Sequence, residues 1–216
     1  MRRPWLPLLL LALLAGVPSG SAQAPAPPGA AATAPALVLT PITRAELPPQ
    51  LRPLPELVRA VRWSDGAGDN VAAFSRARDE KRGDARLKIE LWSGKAGSGR
   101  VLRTLKDAEL GCEFDLYADF VDAALGLTDV DGDGIGELTF AYRTTCTSDV
   151  SPFALKLFLL EQGAKYALRG STQVDTGGGE LVGGAKRADP ALAKVPAFSL
   201  QLDQIWARIV ALNPWT

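Results

Sequence analysis

The sequence predicts an α+β domain that is mainly an antiparallel β-sheet, a meander of about seven to nine strands, with a C-terminal α-helix. Two observations carry this prediction. From Leu57 onwards, short segments of strand-like composition follow one another and are separated by turn residues. Near the end of the chain, apolar residues instead recur at the spacing of one helix face. These residues are Phe198, Leu202, Ile205, Trp206, Ile209 and Val210.

The clearest strand candidate is Arg86–Trp92, in which Leu87, Ile89 and Leu91 alternate with charged residues. The other strand candidates are 57–63, 71–78, 101–105, 137–143, 155–161 and 165–169. Residues 162–164 suit a hairpin turn between the last two of them. Residues 114–124 fit either a strand or a short helix.

The N-terminal segment predicts export. Arg2 and Arg3 precede an apolar run over 6–17, and small residues then lead to a cleavage site after Ala22. The run has about a dozen residues, whereas a membrane-spanning helix needs about 20. We therefore expect a cleaved signal peptide over 1–22 and no membrane span in the mature chain, which places the protein in the periplasm or outside the cell.

The rest of the chain is expected to form one domain. Residues 23–56 are interpreted as an Ala/Pro-rich tether and extended lead-in, because prolines recur throughout and exclude long regular elements. A single β-rich globular domain is predicted over 57–216. The Gly-rich segment 176–187 does not match a phosphate-binding loop, since Ala185 interrupts the pattern, and is interpreted as a flexible surface loop.

Composition excludes several classes of function. The chain contains no histidine, which excludes Ser-His-Asp and Cys-His catalysis and zinc bound by histidine. Its 24 basic and 24 acidic side chains balance, and removal of Arg2 and Arg3 with the signal peptide leaves 22 against 24. A nucleic-acid partner is not expected, because that function needs an excess of positive charge.

The two cysteines, Cys112 and Cys146, are predicted to form a disulfide, because an even cysteine count in an oxidising compartment favours pairing. The alternative is two buried free thiols. A redox role is not expected, since the chain has no Cys-x-x-Cys motif.

The segment Asp129–Glu137 has the pattern of a calcium loop, with oxygen ligands at alternate positions and glycines that allow a tight turn. The expected ligands are the carboxylates of Asp129, Asp131, Asp133 and Glu137 and the main-chain carbonyl of Ile135. An EF-hand is not supported, because Phe140 stands at the twelfth position and a strand pattern follows. The loop resembles the strand-flanked calcium loops of integrin-type (FG-GAP) propeller blades, although one copy does not make a propeller. The alternative is an Asp/Gly-rich turn that binds no ion.

Other polar and aromatic residues give weaker signals. Asp115, Asp119 and Asp122 would form an acidic stripe if their segment were helical, and an enzyme would need two such carboxylates across a cleft. Core or rim packing is expected of Trp63 and Trp92, with stacking on a sugar ring as the alternative. Residues 65–70 are interpreted as a turn, and no catalytic residue is assigned.

A set of motifs in fixed order resembles a family of exported bacterial proteins that carries the name surface polysaccharide biosynthesis protein. The motifs are Cys112-x-Phe114-Asp115, Thr128-Asp129-x-Asp131-x-Asp133-Gly134, Tyr142, Cys146, Ser148-Asp149-Val150-Ser151-Pro152, Leu155-Lys156-Leu157 and Lys165-Tyr166-Ala167-Leu168-Arg169-Gly170. The match covers roughly residues 112–170, with a weaker upstream echo at Trp63 and 69–70. The resemblance implies a link to surface polysaccharide and no defined reaction.

Three functions follow as hypotheses. The favoured one is an exported, calcium-stabilised, disulfide-linked envelope protein without catalysis, which binds surface polysaccharide or a partner protein. The second is a carboxylate-based enzyme that acts on surface polysaccharide. The third is a structural or interaction subunit of an envelope assembly.

Overall fold

The computed structural model describes residues 37–95 and 98–212. The predicted signal peptide (1–22) and most of the predicted tether lie outside the described residues. Within them, antiparallel strands dominate and the α-helix lies at the C-terminal end, which confirms the predicted α+β class. No helix in these ranges is both long enough and apolar enough to cross a membrane.

The first sheet has five antiparallel strands in chain order. They are β1 (Thr40–Pro41), β2 (Glu56–Asp65), β3 (Gly68–Asp79), β4 (Asp84–Ser93) and β5 (Arg100–Glu109). The charged link between β3 and β4 forms a turn that ends at a buried carboxylate. Asp84 is only 4% exposed, and the cost of burying its carboxylate is offset by a hydrogen bond from the main-chain N–H of Gly111 (3.0 Å) and by an ion pair with Arg86.

The second sheet also has five antiparallel strands, in the order β12-β9-β8-β7-β6. They are β6 (Asp115–Thr128), β7 (Glu137–Thr147), β8 (Ala154–Glu161), β9 (Ala164–Ser171) and β12 (Lys186–Ala188), while β10 (Gln173–Asp175) and β11 (Leu181–Gly183) form a separate hairpin. Residues 114–124, which fit a strand or a helix by sequence, therefore lie mostly in β6. Residues 176–187, expected to be a flexible loop, instead contribute β11 and part of β12.

The two sheets pack face to face, because their inner faces form one apolar cluster. The ring of Phe74 from β3 contacts that of Phe140 from β7, with centroids 5.3 Å apart. Phe140 in turn stacks on Phe158 from β8. This shared core makes the domain a β-sandwich, an arrangement that strand patterns alone do not specify.

Each outer face of the sandwich is covered by a different segment. Two short 3₁₀ turns, Arg44–Glu46 and Pro49–Leu51, place Leu47 and Leu51 against Trp92 and other residues of the first sheet. Packed structure therefore begins upstream of residue 57.

Helix α1 (Pro196–Ile209) covers the outer face of the second sheet. Its buried residues are Phe198, Leu202, Ile205, Trp206 and Ile209, which confirms the helical stripe read from the sequence. The buried Arg143 of β7 donates a hydrogen bond from Nη2 to the carbonyl of Ile209 (2.9 Å), where the last carbonyls of the helix need donors.

Cys112 and Cys146 form a disulfide with their Cα atoms 5.7 Å apart, as predicted. Cys112 lies in the segment that joins β5 to β6, and Cys146 lies near the end of β7. The bond therefore ties the connection between the two sheets to the second sheet.

Candidate metal centre

The acidic loop joins β6 to β7, and its main-chain N–H groups donate hydrogen bonds to its own aspartate side chains. The N–H of Gly134 donates to Oδ2 of Asp129 (3.1 Å), and the N–H of Ile135 donates to Oδ1 of Asp133 (2.8 Å). Gly132 and Gly134 have φ values of 77° and 82°, a left-handed conformation that glycine adopts without steric cost. The two hydrogen bonds fix the carboxylates of Asp129 and Asp133 against the main chain of the loop.

Glu137 anchors the loop from the first position of β7. Its side chain is fully buried and accepts hydrogen bonds from Oγ1 of Thr128 (2.8 Å) and from the N–H of Val130 (3.0 Å). Burial raises the pKa of Glu137, and these two hydrogen bonds oppose the rise. The carboxylate is therefore fixed in position at the base of the loop.

The structure adds one carboxylate that the sequence analysis missed, Glu161 at the end of β8. Two groups of three carboxylates have ligand atoms within 4.8 Å of one another: Asp129, Asp131 and Glu137 in one, and Asp131, Asp133 and Glu161 in the other. Asp131 belongs to both groups, so the five carboxylates form one continuous cluster.

The pairing of β7 with β8 explains why Glu161 lies there. Leu138 of β7 lies opposite Leu160 of β8, which brings the following residue, Glu161, to the level of Glu137. A hairpin register deduced from the apolar alternation of the two strands is therefore the signal that could have found it. The motif in the loop alone contains no such information.

Two oxygens of the cluster are buried and have no hydrogen-bond partner in the described part of the chain. They are Oδ1 of Asp129 and Oε1 of Glu161, one from each group of three. A buried carboxylate oxygen without a donor is costly, because it has lost its water and gained nothing in exchange. Burial, together with the charges of Asp131 and Asp133, raises the pKa of Glu161 to about 7.

The donor set of the cluster suits a hard cation. All the side chains offer carboxylate oxygen and none offers nitrogen or sulfur, which is the chemistry of calcium, magnesium and manganese sites rather than zinc or copper sites. The cluster brings together four of the predicted ligands: Asp129, Asp131, Asp133 and Glu137. The carbonyl of Ile135 as a fifth ligand stays a prediction.

The hairpin between β2 and β3 braces the acidic loop from the first sheet. The N–H of Gly66 donates to the carbonyl of Gly134 (2.8 Å), and the N–H of Gly136 donates to Oδ2 of Asp65 (3.1 Å). The same oxygen of Asp65 accepts from Nε1 of Trp63 (2.9 Å). The turn at 65–70, interpreted as carrying no site, contributes no ligand to the cluster but fixes the loop that does.

The carboxylates considered for catalysis are spread along β6 and do not converge. Asp119 forms an ion pair with Arg76, and Asp122 forms one with Arg59 (2.7 Å), while Asp115 is exposed at the start of the strand. The two arginines lie on β2 and β3 of the first sheet and neutralise two of the three charges. Of these three carboxylates, only that of Asp115 has no ion pair among the described residues, so they do not supply a free pair.

The two tryptophans considered as sugar-stacking surfaces are buried, with Trp63 at 5% and Trp92 at 4% exposure. Trp63 belongs to the core between the sheets, and Trp92 packs beneath the N-terminal 3₁₀ turns. Packing is therefore the main role of both rings.

No protein-family model matches this chain, and comparisons with curated proteins and with solved structures also give no match.

Proposed function

We propose that this chain is an exported, disulfide-linked envelope protein whose Asp129–Glu137 loop, completed by Glu161, binds calcium as a structural ion. The observation that carries the proposal is the pair of buried carboxylate oxygens without partners in a cluster of five carboxylates. Calcium accepts six to eight oxygens in irregular geometry and supplies the positive charge that such a cluster lacks.

The proposed ion would join three parts of the domain. The loop connects β6 to β7, Glu161 ends β8, and the β2–β3 hairpin contacts the loop through Gly66 and Asp65. A bound ion would therefore fix one end of the sandwich, where both sheets contribute. This favours stabilisation over catalysis as the role of the metal.

Export is supported by the N-terminal sequence pattern and by the disulfide, because disulfides persist in oxidising compartments such as the periplasm. In such a compartment, the resemblance to surface polysaccharide biosynthesis proteins favours a surface polysaccharide or an envelope protein as the partner. A carboxylate-based enzyme has less support, since Asp119 and Asp122 are bound to arginines.

The test is calcium titration of the mature, oxidised protein by calorimetry. We expect stoichiometric binding, a rise in melting temperature, and loss of both in Asp131→Ala, because Asp131 belongs to both groups of carboxylates. Asp115→Ala is the matched control, since Asp115 is exposed and lies outside the cluster. Magnesium in place of calcium tests the identity of the ion, and equal affinity for the two would argue against a calcium site.

If calcium gives neither heat of binding nor stabilisation with the unmodified protein, the loop is an acidic turn that binds no calcium. If Asp131→Ala and the unmodified protein bind calcium equally, the ion binds at another site in the protein.

A further inference from the structure

A cleft opens between the two sheets at the end of the sandwich that carries the acidic loop. Its volume is about 380 Å³, within the usual range for small-molecule sites. One wall is a row of four side chains that crosses the first sheet in register: Trp63 pairs with Asn70, Asn70 with Ser93, and Ser93 with Arg100. Because neighbouring strands lie about 4.8 Å apart, the row extends over about 14 Å.

The cleft has an apolar side and a polar rim. Leu102 and Ile135 line it with half-buried side chains, whereas Trp63, Leu91 and Leu160 are almost fully buried there and serve mainly as packing. Gln162 lines the cleft from the turn that joins β8 to β9. Half-buried apolar side chains beside polar groups are typical of sites that bind a ring through one face and its polar substituents at the rim.

The side chains at the two ends of the row differ in their hydrogen bonding. At one end, Trp63 and Asn70 are held by Asp65, which accepts from the indole N–H (2.9 Å) and from the Asn70 amide (3.0 Å). At the other end, Ser93 and Arg100 form no side-chain hydrogen bond or ion pair with any residue in the described ranges. The cleft therefore combines a fixed aromatic end with an unpaired cationic end.

Gln162 reaches the cleft because of the hairpin turn that carries it. Gln162 and Gly163 are the two central residues of the turn between β8 and β9, with φ of 45° and 83°. A two-residue hairpin turn of this type requires positive φ at both positions, so the turn accounts for the conformation of Gln162. Its side chain is exposed, lines the cleft and forms no hydrogen bond within the described ranges.

From this geometry we infer that the cleft binds an acidic sugar, with the carboxylate on Arg100 and hydroxyl groups on Ser93 and Gln162. A guanidinium group binds a carboxylate through two parallel hydrogen bonds, which gives both strength and orientation. The half-buried side chains of Leu102 and Ile135 receive the less polar face of the ring. The inference names a site and a ligand class for the polysaccharide binding proposed above.

The cleft and the cation cluster share two segments of chain. Ile135 and Gly136 of the acidic loop line the cleft, and Gln162 directly follows Glu161. Five carboxylates so close to the cleft repel an anion unless a cation neutralises them. Calcium should therefore increase affinity for the acidic sugar, and only this clause of the inference rests on the proposed metal site.

The test uses D-galacturonate and D-galactose, which differ in the carboxylate, as probes in an NMR titration of the mature protein with saturating calcium. We expect galacturonate to bind more tightly, and Arg100→Gln to weaken its binding about tenfold or more while leaving galactose unchanged. Arg62→Gln is the matched control, because Arg62 is an exposed arginine next to Trp63 in β2 and points to the opposite face of that strand.

Repeating the titration with chelator, alongside calorimetry with calcium, separates the two proposals. If calcium binds and neither sugar does, the cleft inference is wrong and the metal site stands. If calcium does not bind but galacturonate still requires Arg100, the cleft inference stands and the metal proposal is wrong. Equal affinity for both sugars, unaffected by Arg100→Gln, would overturn the assignment of the carboxylate to Arg100.

Discussion

At the scale of single residues, Glu161 is a carboxylate whose charge the fold opposes. Burial and the neighbouring Asp131 and Asp133 raise its pKa to about 7 from an ordinary value of 4.5. Glu137 shifts in the same direction, mainly through burial. The folded, metal-free protein thus holds protons that the unfolded chain has already released.

This shift predicts the pH dependence of stability without metal. Between pH 5 and 8 the folded state binds more protons than the unfolded state, so the free energy of unfolding should fall as pH rises through this window. Thermal unfolding in chelator should give a lower melting temperature at pH 8 than at pH 5. Saturating calcium should reduce or reverse the trend, because the ion favours the charged carboxylates. A metal-free melting temperature that is constant or rising would contradict the role assigned to Glu161.

Replacement of Glu161 by glutamine should separate stability from metal binding. The amide removes a buried charge, so we expect Glu161→Gln to raise the melting temperature in chelator. It also removes a ligand, so calcium affinity should fall about tenfold or more, the scale known for the supporting residues of metal sites. Glu180→Gln is the control, since Glu180 is exposed in the β10–β11 hairpin region. Unchanged calcium affinity in Glu161→Gln would exclude it as a ligand.

The candidate site shows what sequence reasoning can reach at this scale. The aspartates of the loop and Glu137 were predictable because their spacing within nine residues has a chemical meaning. Glu161 was not, because its place depends on the register of β7 against β8. Asp65 was also missed as a brace, since its hydrogen bond to the loop joins residues 71 positions apart.

At the scale of elements, helix α1 stabilises the domain through one face. Leu202 is fully buried against the second sheet, whereas Leu200 on the same helix is 62% exposed. Leu202→Ala should lower the free energy of unfolding by about 2–5 kcal/mol, and Leu200→Ala by less than about 0.5 kcal/mol. Urea denaturation of the two variants measures the difference directly. Equal effects would mean that the helix does not pack on the sheet in solution.

Strand β6 illustrates why one element remained ambiguous in the sequence. Ala118, Val121 and Ala124 are buried at three-residue spacing, which resembles a helix face. In the strand, Ala118 faces the first sheet and Val121 faces helix α1, so both faces are covered. The register shift between Val121 and Gly126 further interrupts the alternation. A strand buried on both sides, with an irregular register, loses the period of two that identifies strands.

At the scale of the whole molecule, the disulfide restricts the unfolded chain more than it shapes the folded one. The bond spans 34 residues in sequence. In the chain-entropy model, a loop of this length contributes about 3–4 kcal/mol. Replacing both Cys112 and Cys146 by serine should lower the free energy of unfolding by that amount in urea denaturation. Dithiothreitol should have the same effect on the unmodified protein and none on the double variant; an effect of the reductant on the double variant would contradict this account.

The fold class and the C-terminal helix could be predicted because both depend on local periodicity. The sandwich could not, since alternation gives a strand two faces and does not say what covers each. The inner face of β3 meets the second sheet through Phe74, and its outer face meets the N-terminal segment through Ala73. The role of residues 42–54 as a cover was hidden for the same reason, because prolines indicated irregular structure without indicating where it packs.

The order of strands in the two sheets also bears on how the chain acquires its structure. Apart from the pairing of β12 with β9, each strand of the two five-stranded sheets pairs with its neighbour in sequence. The described chain passes from the first sheet to the second through residues 110–114. Pairing between sequence neighbours keeps the loops that must close within each sheet short, which lowers the entropic cost of forming each sheet. When the chain emerges with its N-terminus first, the five strands of the first sheet can pair before Asp115 is free to do so, and the meeting of the two apolar faces is left as the late step.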